Sequence, residues 1–166
     1  LSRVHLNMIY NELEKLMLPY EKKDMCQTDT VQCLHKIAEM THKRSLVIIF
    51  SDMLDNLDDY KEMFAALEHL RYNKHEVILF HVFDSLLEEK LEYENRPHRF
   101  VDLETGETLK LNPVEVKEKY EKIMTAKKEE LLHHCYQYQI DYVEADINKA
   151  YNQILTSYLI KRSKIL

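Results

Sequence analysis

The chain has 166 residues, 45% hydrophobic and 31% charged, with a formal net charge of −6. That length and apolar content suit one folded domain, and charges of both signs mixed along it exclude a disordered polyelectrolyte. The acidic balance argues against a nucleic-acid or membrane-surface binder, and the single glycine excludes glycine-rich phosphate loops of the Rossmann and Walker types.

Val4, Met8, Ile9, Leu13, Leu16 and Met17 recur at helical spacing and predict a helix over 4–17 that stops before Pro19. Tyr20 to Thr28 is polar and reads as a loop. Val31, Leu34, Ile37, Ala38 and Met40 predict a second helix over 29–42, with Thr28 or Asp29 as its cap. Leu46 to Phe50 is a continuous apolar run, which predicts a parallel-sheet strand buried on both faces and ended by Ser51-Asp52. A third helix is expected from about Leu57 to Tyr72, with Asp58 and Asp59 in its first turn, where acidic groups are favourable. Glu76 to Phe83 reads as a second buried strand, again closed by an acidic residue, Asp84.

The alternation of Arg99 to Leu103 and of Thr108 to Leu111, separated by Glu104-Thr105-Gly106-Glu107, predicts a β-hairpin near 99–111. Pro113 then opens a long helix to about Tyr138. Asp141 to Ala145 is a third main strand, and Asn148 to Lys161 a last helix. Strands alternating with helices give an α/β fold, a three-layer sandwich around a mostly parallel sheet, in a single domain spanning 1–166.

Cys26, Cys33 and Cys135 form no C-x-x-C pair, which fits reduced thiols in a cytoplasmic protein. No run of about 18 apolar residues is present, so no membrane span is expected. Cys26 and Cys33 read as small buried hydrophobes rather than nucleophiles, having no neighbouring base. His133-His134-Cys135 does not read as a zinc site, because adjacent helical residues point about 100° apart; a surface stretch is expected. His81, within a buried strand, is expected to be a hydrogen-bonded core residue rather than a base. The acidic run Asp55, Asp58, Asp59 reads as a solvated helix start. Tyrosines such as Tyr136, Tyr138, Tyr142, Tyr151 and Tyr158 are expected at the core margin, rings buried and hydroxyls wet.

The stretch Ser45 to Leu54, with His81-Val82-Phe83-Asp84, Arg99 to Glu107 and Ile140-Asp141-Tyr142-Val143, resembles a large bacterial family of unknown function. That family is named for domain of unknown function fifty-eight. Its members contain a von Willebrand factor A-like domain, and their genes often neighbour those of MoxR-type AAA+ ATPases. The resemblance runs through nearly the whole chain, and the hairpin is its most specific part. The sequence opens on Leu1 rather than Met, so the C-terminal part of such a domain is expected.

The resemblance implies a metal-ion-dependent adhesion site, in which strand-end loops offer Mg²⁺ an Asp-x-Ser-x-Ser motif, a Thr and an Asp. Thr28 then matches the Thr and Asp52 the final Asp, with Ser51 beside it. The Asp-x-Ser-x-Ser motif is absent from these residues. The expectation is therefore a remnant site without a cofactor here, and Mg²⁺ in a full-length parent. Asp52 also suits a plain turn position, and Thr28 a plain helix cap. The implied function is a non-enzymatic protein-interaction module, partner of a MoxR-type AAA+ ATPase in complex assembly or a chaperone-like role. The alternative is a metal-dependent hydrolase or phosphotransferase centred on Asp52 and Asp84, although a nucleophile with a partnered base is not apparent. In the implied fold another strand lies beside 46–50. Without it that strand is an open edge, to be hidden by homodimerisation or by a rearranged helix.

Overall fold

A computed structural model describes residues 2–18, 30–42, 44–53, 61–102 and 106–163 of the chain. The elements are α1 (Arg3–Leu16), α2 (Thr30–Met40), β1 (Leu46–Ser51), α3 (Lys61–Tyr72), β2 (Glu76–Phe83), a π-helical turn (Ser85–Glu89), β3 (His98–Val101), β4 (Thr108–Leu111), α4 (Pro113–Gln137), β5 (Asp141–Asp146) and α5 (Tyr151–Ser163). The α/β reading holds: three strands form a parallel sheet in the order β1-β2-β5. The expected hairpin is present as the antiparallel pair β3–β4, in which Phe100 faces Leu109. The stretch 54–60, with Asp55, Asp58, Asp59 and the start of the third helix as expected, lies outside the described residues, as do Thr28 and Cys26.

Period-two alternation divides the side chains of β2 between two faces. On one, Val77 and Leu79 join Val47 of β1, Leu34 and Ala38 of α2, Met63 to Leu70 of α3, and Leu131 and Cys135 of α4 in the main core. On the other, the Phe80 ring lies 5.8 Å from Tyr158 of α5. Helices therefore cover both faces of the sheet. Asn112 caps α4, its side-chain oxygen accepting from the Val114 amide, and Pro113 occupies the first turn, where a missing N–H costs nothing.

Several local expectations change. β1 is not buried on both faces. Among the described residues it pairs only with β2, and Leu46, Ile48 and Phe50 are 48%, 49% and 69% exposed. Only Val47 of this run is fully buried, because α5 covers the β2 side of that face and leaves the β1 side bare. Cys33 is exposed, since α2 turns Leu34 and Ala38 inward instead; Cys135 is buried within the core. Of the tyrosines, Tyr136 and Tyr151 lie almost fully in solvent, whereas Tyr138 and Tyr142 pack against the core as expected. Helix α1 buries none of its residues. No helix among the described residues is long and apolar enough to cross a membrane.

Candidate functional site

The C-terminal ends of parallel strands are where α/β sheets bind ligands, because chain reversals there open a crevice. A cleft of about 490 Å³ lies at this edge. Asp52 and Met53 follow β1, His81 and Phe83 come from β2, Glu88 and Glu89 from the π-helical turn, and α4 closes the far side. Its floor is apolar, with Met53, Phe83, Met124 and Leu131, and its rim carries charges of both signs, including Glu121, Lys127 and Lys128.

The turn after β1 is fixed locally. The Ser51 hydroxyl oxygen accepts the Met53 amide at 3.0 Å, and Met53 adopts φ 56°, a left-handed conformation uncommon for a residue with a side chain. This sends the Met53 side chain down into the core.

His81 sits one step behind. Its Nε2 lies 3.1 Å from the Asp52 carbonyl oxygen and its Nδ1 2.7 Å from the Tyr142 hydroxyl. A carbonyl can only accept, so Nε2 carries the proton and Nδ1 accepts from Tyr142. Burial lowers the His81 pKa, outweighing the opposing pull of the Asp52 carbonyl, and so favours this neutral form. Burial likewise pushes the Tyr142 hydroxyl up, so it stays a donor. Asp52 follows β1, His81 belongs to β2 and Tyr142 to β5. The sequence reading expected His81 to be hydrogen-bonded in the core. It is hydrogen-bonded through both nitrogens, but as the wall of a cleft, clamping the three strands at one end.

Lys128 of α4 forms the second clamp. Its Nζ lies 2.7 Å from Glu89 of the π-helical turn and 3.1 Å from Glu144 of β5, and 4.8 Å from the centre of the Phe83 ring. Burial opposes its charge, but the two carboxylates outweigh burial and its pKa is raised. One ammonium thus ties α4, β5 and the turn together over an aromatic face.

Asp84 makes the π-helical turn. Its Oδ1 accepts from the amides of Leu86 and Leu87 at 2.9 and 3.0 Å and from the Asn148 side chain at 2.8 Å. The Leu87 amide first, then the Asn148 side chain, hold its carboxyl below the usual carboxylate range. Asn148 also donates to Asp146, which is only 3% exposed. Burial acts against the Asp146 charge, yet donors from Asn148 and Ser85 prevail and its pKa is lowered.

The two strands carrying Asp52 and Asp84 are neighbours, as the hydrolase alternative required. The Asp84 carboxylate, however, caps the turn and turns towards Asn148 on the β5 side. Of the expected remnant metal site, Ser51 ends β1 and Asp52 follows it, while Thr28 lies outside the described residues. No group of three or more His, Cys, Asp or Glu side chains among the described residues could hold a metal ion. His133 is exposed, and His134 stacks on Phe64 at 4.0 Å, so the His133-His134-Cys135 run diverges as helical geometry requires.

Sequence reasoning did not find Lys128, Glu89, Glu144 or the part played by Tyr142. Lys128 lies in the run Lys127-Lys128-Glu129-Glu130, which has the look of a solvated helix face. Only the polar residue that interrupts an otherwise apolar strand, His81, was a visible signal.

No curated protein and no solved structure matches the chain. A family model described as "Protein of unknown function DUF58" matches residues 2–130. The chain belongs to that family.

Proposed function

We propose that this chain is a non-enzymatic protein-interaction module that receives a polypeptide segment in the cleft at the C-terminal ends of β1 and β2. The observation that carries this reading is the state of the cleft's polar groups. Both nitrogens of His81 and the Lys128 ammonium are held in contacts that brace the fold. A base must have a free lone pair aimed at substrate; the His81 lone pair is occupied by Tyr142. An apolar floor with a rim of both signs suits a mixed-charge peptide, which buries apolar side chains centrally and keeps its charges at the edge.

By resemblance the domain is von Willebrand factor A-like and the partner is a MoxR-type AAA+ ATPase, in complex assembly or a chaperone-like role; the sparse cysteines without a C-x-x-C pair suit a cytoplasmic location. On the same reading a parent domain with an Asp-x-Ser-x-Ser motif binds Mg²⁺, with Thr28 and Asp52 contributing. Affinity capture with the neighbouring ATPase tests this. The native chain should retain it, and reversing the rim with Lys127→Glu and Glu129→Lys should weaken capture at least tenfold. No capture with or without Mg²⁺, or turnover in a phosphatase and esterase panel, would overturn the reading.

A further inference from the structure

The cleft at the C-terminal ends of β1 and β2 is unevenly charged. Its lining carries five carboxylates, Asp52 after β1, Glu88 and Glu89 in the π-helical turn, and Glu121 and Glu129 on α4, against three cations, Lys90, Lys127 and Lys128. Lys128 adds nothing positive for a ligand, because its Nζ lies 2.7 Å from Glu89 and 3.1 Å from Glu144 and the trio is negative as a whole. Glu88 accepts the Asp84 amide at 3.1 Å, a neutral donor that leaves its charge in place. Glu121 meets Lys117 at 3.9 Å, with the two side chains 41% and 38% exposed, so their attraction is weak. Lys90 and Lys127 are thus set against Asp52, Glu88 and Glu129.

The whole chain has a net charge of −6, so the field at a distance has the same sign as the field in the cleft. Both draw in a cation and repel an anion. The floor adds a second demand. Met53, Phe83, Met124 and Leu131 are apolar, and methionine adapts to irregular shapes. Lysine and arginine meet floor and rim together. Their stems lie on apolar surface, and their heads stay at the wet edge, where carboxylates accept from them.

We propose that the segment received by the cleft is net basic, with an arginine or lysine stem on the apolar floor and its head among Asp52, Glu88 and Glu129. This rests on the peptide-binding reading of the same cleft and adds the chemistry of the partner. An acidic segment of equal apolar content is turned away, because its carboxylates would meet those of the rim. An uncharged segment gains the floor alone.

Fluorescence anisotropy with three labelled ten-residue peptides tests it. The probes share their leucine, methionine and serine residues and differ at three positions, which carry arginine, glutamine or glutamate. The arginine peptide should bind at least tenfold more tightly than the glutamine peptide, and the glutamate peptide more weakly still. Salt raised to about 1 M, where the screening length is roughly 3 Å, should remove most of the difference. Glu88→Gln with Glu129→Gln, which leaves an acceptor for the Asp84 amide, should weaken the arginine peptide at least tenfold with unchanged circular dichroism. Lys90→Gln should tighten it. A glutamine or glutamate peptide that binds as tightly as the arginine peptide overturns the charge preference while the peptide reading stands. So does an arginine-peptide affinity indifferent to the paired glutamine substitutions. Binding of none of the three probes overturns the peptide reading, and this inference with it.

Discussion

Replacing Lys128 with Met keeps an apolar stem over Phe83 and removes only the charge that ties Glu89 to Glu144. The Lys128, Glu89 and Glu144 side chains are 24%, 30% and 44% exposed, so this link is neither a surface pair nor a buried one. Exposed pairs contribute about 0.2–1 kcal/mol each, and screening keeps the Glu144 contact at the low end. The cation over the Phe83 ring adds about 0.5–1 kcal/mol. The variant should therefore lose about 1–2 kcal/mol in urea unfolding, within the usual range for a substitution that breaks a partly buried network. Raising the salt to about 1 M shortens the screening length to roughly 3 Å and should halve the difference. A double-mutant cycle with Glu89→Gln should return a coupling of about 0.5–1 kcal/mol. Amide exchange across Ser85–Glu89 should accelerate, because the turn loses its tie to α4. A loss below about 0.5 kcal/mol that ignores salt would show that the ammonium does not brace the cleft.

Replacing His81 with Phe leaves the Tyr142 hydroxyl and the Asp52 carbonyl without their partner, and should cost about 1–3 kcal/mol by thermal unfolding. The His81 pKa is lower folded than unfolded, so the unfolded chain takes up the proton first; stability should fall as pH drops below the ordinary imidazole value of 6.5, and His81→Phe should flatten that slope. Asp84 and Asp146 act with the same sign at lower pH: their stabilisation is complete above the unfolded carboxylate range and lost as pH falls through their depressed folded values, visible as a second acid step in urea midpoints. Burial pushes the Cys135 thiol up to about 12 from 9.0, so stability should decline as pH rises between those values. Peptide mapping after iodoacetamide should find Cys33 alkylated in the native chain and Cys135 only after unfolding. Leu67→Ala, at a core position 1% exposed, should cost about 3–5 kcal/mol and lower Tm by roughly 8–15 °C; a smaller shift would mean that the α3 face is less tightly packed than the structure has it.

The local grammar of the chain was legible without its tertiary structure. Glu76 to Phe83 is a strand because it is a short apolar run rich in β-branched and aromatic residues, and α4 starts at Pro113 because Asn112 and the proline make a helix start from any neighbours. The β3–β4 hairpin followed from alternation around Gly106, whose φ of 74° suits a residue without a side chain. Asp52 was legible as a strand-end residue beside the site, since strands of this kind end at ligand crevices.

What the partners of a residue would be was not legible. Leu-Val-Ile-Ile-Phe has the same appearance in a central strand and in an edge strand; only the sheet order β1-β2-β5 decides that Phe50 faces solvent. The His81 clamp joins residues 61 and 29 positions apart, and Lys128 meets Glu89 39 positions away, separations that no helical or strand period encodes. The π-helical turn depends on Asp84 reaching Asn148, 64 residues on. Sequence by itself determined which segments are helix and strand, because those choices rest on local propensity and periodicity. The tertiary structure decided which polar groups meet and, among the described residues, which strand lies at the edge of the sheet, because those contacts join residues far apart in the chain.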